Sequence, residues 1–459
     1  MACRKTKAYK ILLKIREGFT RFMSKKQLLL LSLALTTAVG LTACGSNNNN
    51  NGNNASPSAP AATESAPAGT DEAAEDLAPE TGAKLVVWYS ASEKQLVEEA
   101  AATFKDKYGI DVEIQDVGPD KSIEKIINDG PAGVGADVFL AVHDRLGAAV
   151  QAGVVLPNDL HEEGSKANNS DKAVEAFTID NVLYGYPMSV ETTAVFYNKD
   201  IVPTPPKTWD EVISFAKGFN DVNKQKYAYM WEVGNGYWSW GFFGGYGAYV
   251  FGQGGTDPND IGLNNAGGVE AAKFFSSLKD QILPIKAGDI KADIKTSLFN
   301  EGKLAMNVSG PWQTKEFQAS VKNLGVMEYP TLPNGKPMMP FSGVKGFLVN
   351  AYSKYPIAAK MFAELVSGET SQARNFELFG SLPSNKNVAA SATVSNDPFA
   401  SVFLSQFNNS TPMPKIAEMN GFWATHEAAL ASLWNDKADA QKTMDDWAKK
   451  IKDANAAAQ

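Results

Sequence analysis

The sequence predicts an α/β protein whose folded body divides into two lobes. Three observations carry that prediction. Short apolar runs with strand character alternate with segments whose apolar residues recur at helical spacing. About 375 residues follow the first such run, more than one hydrophobic core usually serves. The two cysteines, Cys3 and Cys44, both precede the body, so an ordinary core rather than disulfides must hold it.

Residues 1–43 read as an export signal. Lys25 and Lys26 supply a positive start, and Leu28 to Val39 supply an apolar stretch. That stretch is short of the roughly 20 residues that a spanning helix needs. Thr42-Ala43-Cys44 fits a lipoprotein signal peptidase site, after which Cys44 becomes the lipidated first residue. A chance cysteine behind an ordinary secretory signal is the weaker reading, because a linker begins directly after Cys44. Met23 opens a more conventional signal than Met1 and is the expected start.

Residues 44–83 follow as a tether. They begin with Asn and Gly, continue with Ser, Pro, Ala and Thr, and carry no aromatic residue, so little apolar surface offsets the entropy of ordering them. Nine of the 43 basic residues and one of the 51 acids lie before Cys44, which leaves 34 against 50 and a formal charge of −16. So acidic a body argues against nucleic acid and anionic membrane surfaces as partners, since both require a basic face. Contact with the membrane is expected through the lipid alone.

The body opens with Leu85-Val86-Val87-Trp88-Tyr89, a continuous apolar run typical of a strand buried on both faces. Ser92 is placed to cap a helix carrying Leu96, Val97, Ala100, Ala101 and Phe104 on one face and ending at Gly109. Ile110, Val112 and Ile114 alternate as a second strand, and 137–142 form a third. Thr208-Trp209-Asp210-Glu211 is a capping box behind a proline-rich turn. Ile357, Ala358, Met361, Phe362 and Leu365 mark a helix closed by Gly368, and Ala440, Met444, Trp447 and Ile451 mark the last one. Strands separated by helices predict mostly parallel sheets.

Catalytic patterns are missing. There is no Gly-x-Ser-x-Gly elbow, no P-loop and no cysteine-based metal set, and His161-Glu162-Glu163 lacks the second histidine of a zinc helix. No catalytic residue, metal or cofactor is therefore assigned. Carboxylates alone would still permit a glycosidase, which needs two. Gly252 to Gly255 reads as a loop, and 257–262 read as a turn before a helix at Asn265. Residues 229–251 are dense in aromatics and glycine. Trp240, Phe242 and Phe243 read as core, while the aromatics beside Gly234, Asn235 and Gly236 suit a ligand-facing loop. Trp312 after Gly310-Pro311, and Phe422-Trp423 after Gly421, repeat the theme of tryptophan at a bend. Sugar rings offer C–H faces to such aromatics and hydroxyls to carboxylates, arginine and amides.

Seven stretches carry a family resemblance: LVVWYSASEKQL (85–96), ADVFLAVHDRLGAAVQAGVV (136–155), YGYPMSVETTAVFYNKDIVPTPPKTWDEV (184–212), GYWSW (236–240), EGKLAMNVSGPW (301–312), FSGVKGFLVN (341–350) and MPKIAEMNGFW (413–423). In order and spacing they resemble the extracellular solute-binding proteins of ABC importers, and among those the maltose/maltodextrin-binding proteins. The resemblance implies a two-lobed, periplasmic-binding-protein-like α/β fold with a ligand cleft between lobes joined by a hinge. It places lobe one at 84–190 and 345–395, and lobe two at 194–340 and 400–459. It implies a monomer that binds maltose or maltodextrins and delivers them to permease subunits. It also implies that Asp144, Arg145 and Glu191 hydrogen-bond the sugar, that Tyr237 and Trp238 form an aromatic pair, and that Trp312 and Trp423 are stacking platforms. Lys94 is a further, weaker match. Two positions depart from the family pattern. Ala141 stands where the family has an aromatic, and Asn235-Gly236 where it has an acid, with Glu232 near enough in sequence to replace that acid. Another oligosaccharide, or a surface-anchored glycosidase using Glu191 with Glu232 or Asp144, are the alternative readings.

Overall fold

The computed structural model describes residues 78–458; the signal, Cys44 and most of the tether lie outside the described residues. The expected tether reaches 83, yet Glu80 is already docked. Its carboxylate accepts the N–H groups of Ile357 and Ala358 at 2.8 and 2.9 Å, capping the helix Pro356–Ser367.

Two sheets organise the body. The first is seven-stranded. It contains β1 (Lys84–Tyr89), β2 (Asp111–Asp116), β3 (Val138–Val142) and β4 (Tyr186–Thr192). The second is four-stranded and is built on β5 (Ala194–Asn198), β6 (Tyr227–Met230), β7 (Leu304–Ser309) and β8 (Leu324–Met327). The chain then returns to the first sheet through β9 (Phe341–Val349). Pairing is mixed, which corrects the expectation of mostly parallel sheets. β1 runs parallel to β2 and β3, but β9 enters from the second lobe and lies antiparallel between β3 and β4. In the second sheet only β6 and β7 are parallel.

The crossings between sheets are laced together. Thr193, the single residue between β4 and β5, shares a 2.7 Å hydrogen bond with the Tyr329 hydroxyl. The Tyr329 N–H donates to the Gln406 side chain at 2.9 Å, and the Thr192 hydroxyl donates to the Phe341 carbonyl at 2.9 Å. These bonds tie the two passages of chain between the sheets, 192–194 and 329–341, to one another and to the helix Pro398–Asn408.

Local signals held or failed for identifiable reasons. Gly109 ends the helix Gln95–Tyr108 with φ 70°, a conformation natural to glycine. Ser92 does not cap that helix. It lies inside a separate short turn, Ala91–Glu93, and Lys94 occupies the N-cap without a side-chain bond. Thr208 accepts from the Glu211 N–H at 3.3 Å, as a capping box requires, but the Glu211 carboxylate reaches one residue further back to the Lys207 N–H. Asn265 caps Ala266–Gln281 as expected.

The expected ligand-facing loop after Gly234 is instead a helix, Gly236–Gly245, capped by Asn235. Its glycines are contact surfaces rather than helix breakers. A Cβ on Gly244 would lie 2.7 Å from the Met339 carbonyl, and one on Gly245 would lie 2.4 Å from Leu332. Only glycine lets the 332–340 segment pack this closely, and that outweighs its poor helix propensity. Trp240, Phe242 and Phe243 are core, as read from the sequence.

Candidate functional site

Most of the candidate residues sit near the end of a strand or the start of a helix. β3 ends in a short turn, His143–Arg145. The His143 Nδ1 accepts from the Val344 N–H at 3.2 Å, which leaves Nε2 to donate to the Met413 carbonyl at 3.0 Å. Burial pushes its pKa down to about 4, so this neutral, doubly bonded ring fixes the turn. Asp144 is then held inward, 6 % exposed, and accepts from the Trp423 indole N–H at 2.7 Å. Burial raises its carboxyl to about 6, against the opposing pull of Arg145 and the indole. Arg145 itself leans toward Glu124, 3.6 Å away.

Trp423 lies in the helix Met419–Asn435, not at a loop bend, and packs edge-on against Phe422 and His426. Trp312 follows β7 in a one-turn element, Pro311–Gln313, whose entry requires glycine: a Cβ on Gly310 would sit 2.0 Å from the indole ring. Trp312 meets Trp238 at 6.3 Å between centroids, and Trp238 meets Tyr237 at 5.3 Å, both edge to face. The Tyr237 hydroxyl is buried and finds no partner among the described residues. Burial first, then the fields of Glu191, Tyr329 and Asp144, hold its pKa well above the usual phenol range.

Two lysines stand among these groups, Lys295 buried and Lys345 partly so. Lys345 on β9 lies 2.9 Å from Glu191 and 4.5 Å from the centre of the Trp312 ring. Lys295, on the helix Ala292–Asn300, donates to the Val308 carbonyl at 2.8 Å and sits 3.8 Å from Glu232 and 4.8 Å above the Trp238 ring. Burial lowers Lys295 to about 8 and raises Glu232. Among the described residues no group of His, Cys, Asp and Glu is arranged to hold a metal. What these residues offer is aromatic faces set among carboxylates with unused acceptor capacity, groups suited to a hydroxyl-bearing ring.

Residues 99–401 match the family of bacterial extracellular solute-binding proteins. The chain belongs to that family. Among its relatives, the galactooligosaccharide-binding protein of Bacillus subtilis is 32 % identical over 84 % of this chain and 92 % of its own length. The maltooligosaccharide ABC transporter solute-binding lipoprotein of Streptococcus pneumoniae is 28 % identical over 81 % and 88 % respectively. Among solved structures, a cyclo/maltodextrin-binding protein complexed with maltotetraose superposes with a TM-score of 0.67 at 34 % identity, covering 81 % of this chain and 97 % of that one.

In this solute-binding protein Glu191, Tyr237, Trp238, Trp312 and Glu232 are linked through contacts with one another and with Lys345 and Lys295, Asp144 meets Trp423, and Arg145 turns to Glu124. Lys94 does not join them. It is exposed and paired with Glu98 at 2.7 Å. Its neighbour Glu93 is the buried one, with an oxygen that finds no partner among the described residues. Burial raises the Glu93 carboxyl, opposed by Lys345. Ala141 lies wholly inside β3, opposite Gly346. Asn235 spends its side chain on the Tyr237 N–H at 2.9 Å, so it does not stand in for an acid. Sequence reasoning missed Glu93, Lys295 and Lys345. The available signal was a lone charge inside an otherwise apolar strand, as in Phe-Ser-Gly-Val-Lys-Gly-Phe, which a core position would not carry unpaired.

Proposed function

We propose that this solute-binding protein captures maltodextrins between its lobes and presents them to the permease of an ABC importer, held at the extracytoplasmic face of the membrane by a lipid on Cys44. The observation that carries the reading is the meeting of Trp423 with Asp144, and of Trp312 with Lys345 and Glu191, across the gap between the sheets. Stacking platforms from one lobe then face hydroxyl acceptors from the other, so one ring engages both and closure follows binding. Lobe one comprises 84–190 and 345–395, lobe two 194–340 and 400–459, and the protein acts as a monomer. The names of the Streptococcus pneumoniae relative and of the maltotetraose complex support the sugar and the transporter.

The protein binds without turnover. Glu191 is tied to Lys345, and Asp144 to an indole, so neither stands as a free acid opposite a free base. The Bacillus subtilis relative favours one second reading, a galactooligosaccharide ligand. Calorimetry against maltose, maltotriose, maltotetraose, cyclodextrins and galactooligosaccharides decides between them. Saturable heat with the glucose polymers supports the proposal; heat with galactooligosaccharides alone replaces it by the second reading.

A further inference from the structure

β9 carries one charge among eight buried, uncharged residues, and that charge is Lys345. Its placement is built into the strand. The register against β4 slips between Lys345, opposite Ser189, and Gly346, opposite Pro187. Pro187 has no N–H to give the ladder, and a Cβ on Gly346 would lie 2.6 Å from the Phe177 ring. The extra residue, Met188, lies on β4, so the irregularity alters the local twist between the strands that carry Glu191 and Lys345, a frequent use of bulges beside binding sites.

The Lys345 ammonium has three neighbours of consequence. Glu191 from β4 pairs with it at 2.9 Å, Glu93 from the turn after β1 shares its field, and Trp312 from the other lobe receives it on the ring face at 4.5 Å. Asp120 is the remaining acid that acts on it. Burial alone would lower the lysine, but Glu191 and Glu93 outweigh it and the ammonium is held above its ordinary range. Glu191 in turn raises Glu93, so the two carboxyls oppose one another wherever no cation lies between them.

We propose that Lys345 is the positioning residue of the sugar site, one cation that keeps Glu93 and Glu191 together as paired hydroxyl acceptors and draws Trp312 of the opposite lobe onto them. The inference rests on the sugar-binding reading and narrows it to neutral sugars. A neutral ring donates hydroxyls to both carboxylates while its C–H face meets the indole; an acidic sugar would add its charge to Glu93, Glu191, Asp144 and Glu232, where Lys345 and Lys295 are already paired with Glu191 and Glu232.

The test is titration of maltotetraose, a galactooligosaccharide and a uronic-acid oligomer into wild type, Lys345→Met and Lys345→Arg at pH 7.5 and 5.0. Wild type binds a neutral oligomer and not the uronic acid. K345M loses roughly tenfold or more in affinity at pH 7.5 and regains part of it as the pH falls to 5.0, the direction in which Glu93, already raised by burial and no longer opposed by the lysine, takes up a proton. K345R stays within a few-fold of wild type. Equal affinity of K345M and wild type at pH 7.5, or an equal loss at both pH values, overturns the proposal. Should K345M fail to fold, Glu93→Gln in the K345M background is predicted to fold and to recover most of the affinity. A double variant as defective as the single one also overturns it. Failure of wild type to bind any of the sugars refutes the sugar reading itself, a separate outcome.

Discussion

Replacing Trp423 by alanine removes two things at once, and the structure separates them. The first is a large aromatic face beside the gap, worth about 1–3 kcal/mol in a desolvated contact. The second is the indole N–H that meets Asp144 at 2.7 Å. Asp144 is buried, and stripping a buried carboxylate of a donor costs about 1–3 kcal/mol, only part of which a bound sugar hydroxyl would return. Trp423→Ala should therefore weaken maltotetraose binding by about 2–4 kcal/mol, or roughly 30- to 1,000-fold. Trp423→Phe keeps most of the face and loses the N–H, so its loss should be about 1–2 kcal/mol. Calorimetry at pH 7.5, with circular dichroism to confirm folding, reads both values. If W423F binds like wild type and W423A loses less than about 0.5 kcal/mol, Trp423 is core and the site lies elsewhere.

Further outcomes follow from the same geometry. The Asp144 carboxyl, raised to about 6 by burial, keeps a proton in the fold that it would release when unfolded; its contribution to stability is thus present below about pH 4 and lost as pH climbs to about 6. A sugar hydroxyl donated to the ionised form favours that form, so binding near pH 5.5 should release protons, and calorimetry in buffers of different ionisation heat should show this release vanish in Asp144→Asn. Lys295, lowered to about 8 above the Trp238 ring, should give a tryptophan-fluorescence titration with a midpoint near pH 8 that Lys295→Met abolishes. An unchanged titration in K295M would detach the signal from this pair. Cys44→Ala should move the protein from cells to medium with its sugar affinity intact; retention on the cells would contradict anchoring through that residue.

Much of this was legible in the sequence because the signals were local. The apolar run at 85–89, Gly109 and the Asn265 cap each act within a turn or two, and each formed as read. The helix Gly236–Gly245 was hidden because its glycines answer to a partner segment some 90 residues away, which no propensity registers. The antiparallel insertion of β9 was hidden likewise, since it depends on the chain returning from the second lobe. At the site, the tryptophans and Asp144 were visible through motif and resemblance. Lys94 misled because it is one residue from Glu93, and at a helix entry one residue decides between solvent and gap. Lys345 lies inside one of the motifs that carry the resemblance, but only its contacts with Glu191 and Trp312 reveal where its ammonium goes.

The central claim is that one intact oligosaccharide lies between the lobes, stacked on tryptophan and hydrogen-bonded to carboxylates. A crystal structure of the protein grown with maltotetraose tests it most directly. Uncleaved sugar is expected, with rings against Trp423 and Trp312 and with hydroxyls within about 3.2 Å of Asp144 and Glu191. Sugar bound away from these residues, or found shortened in the gap, would contradict it.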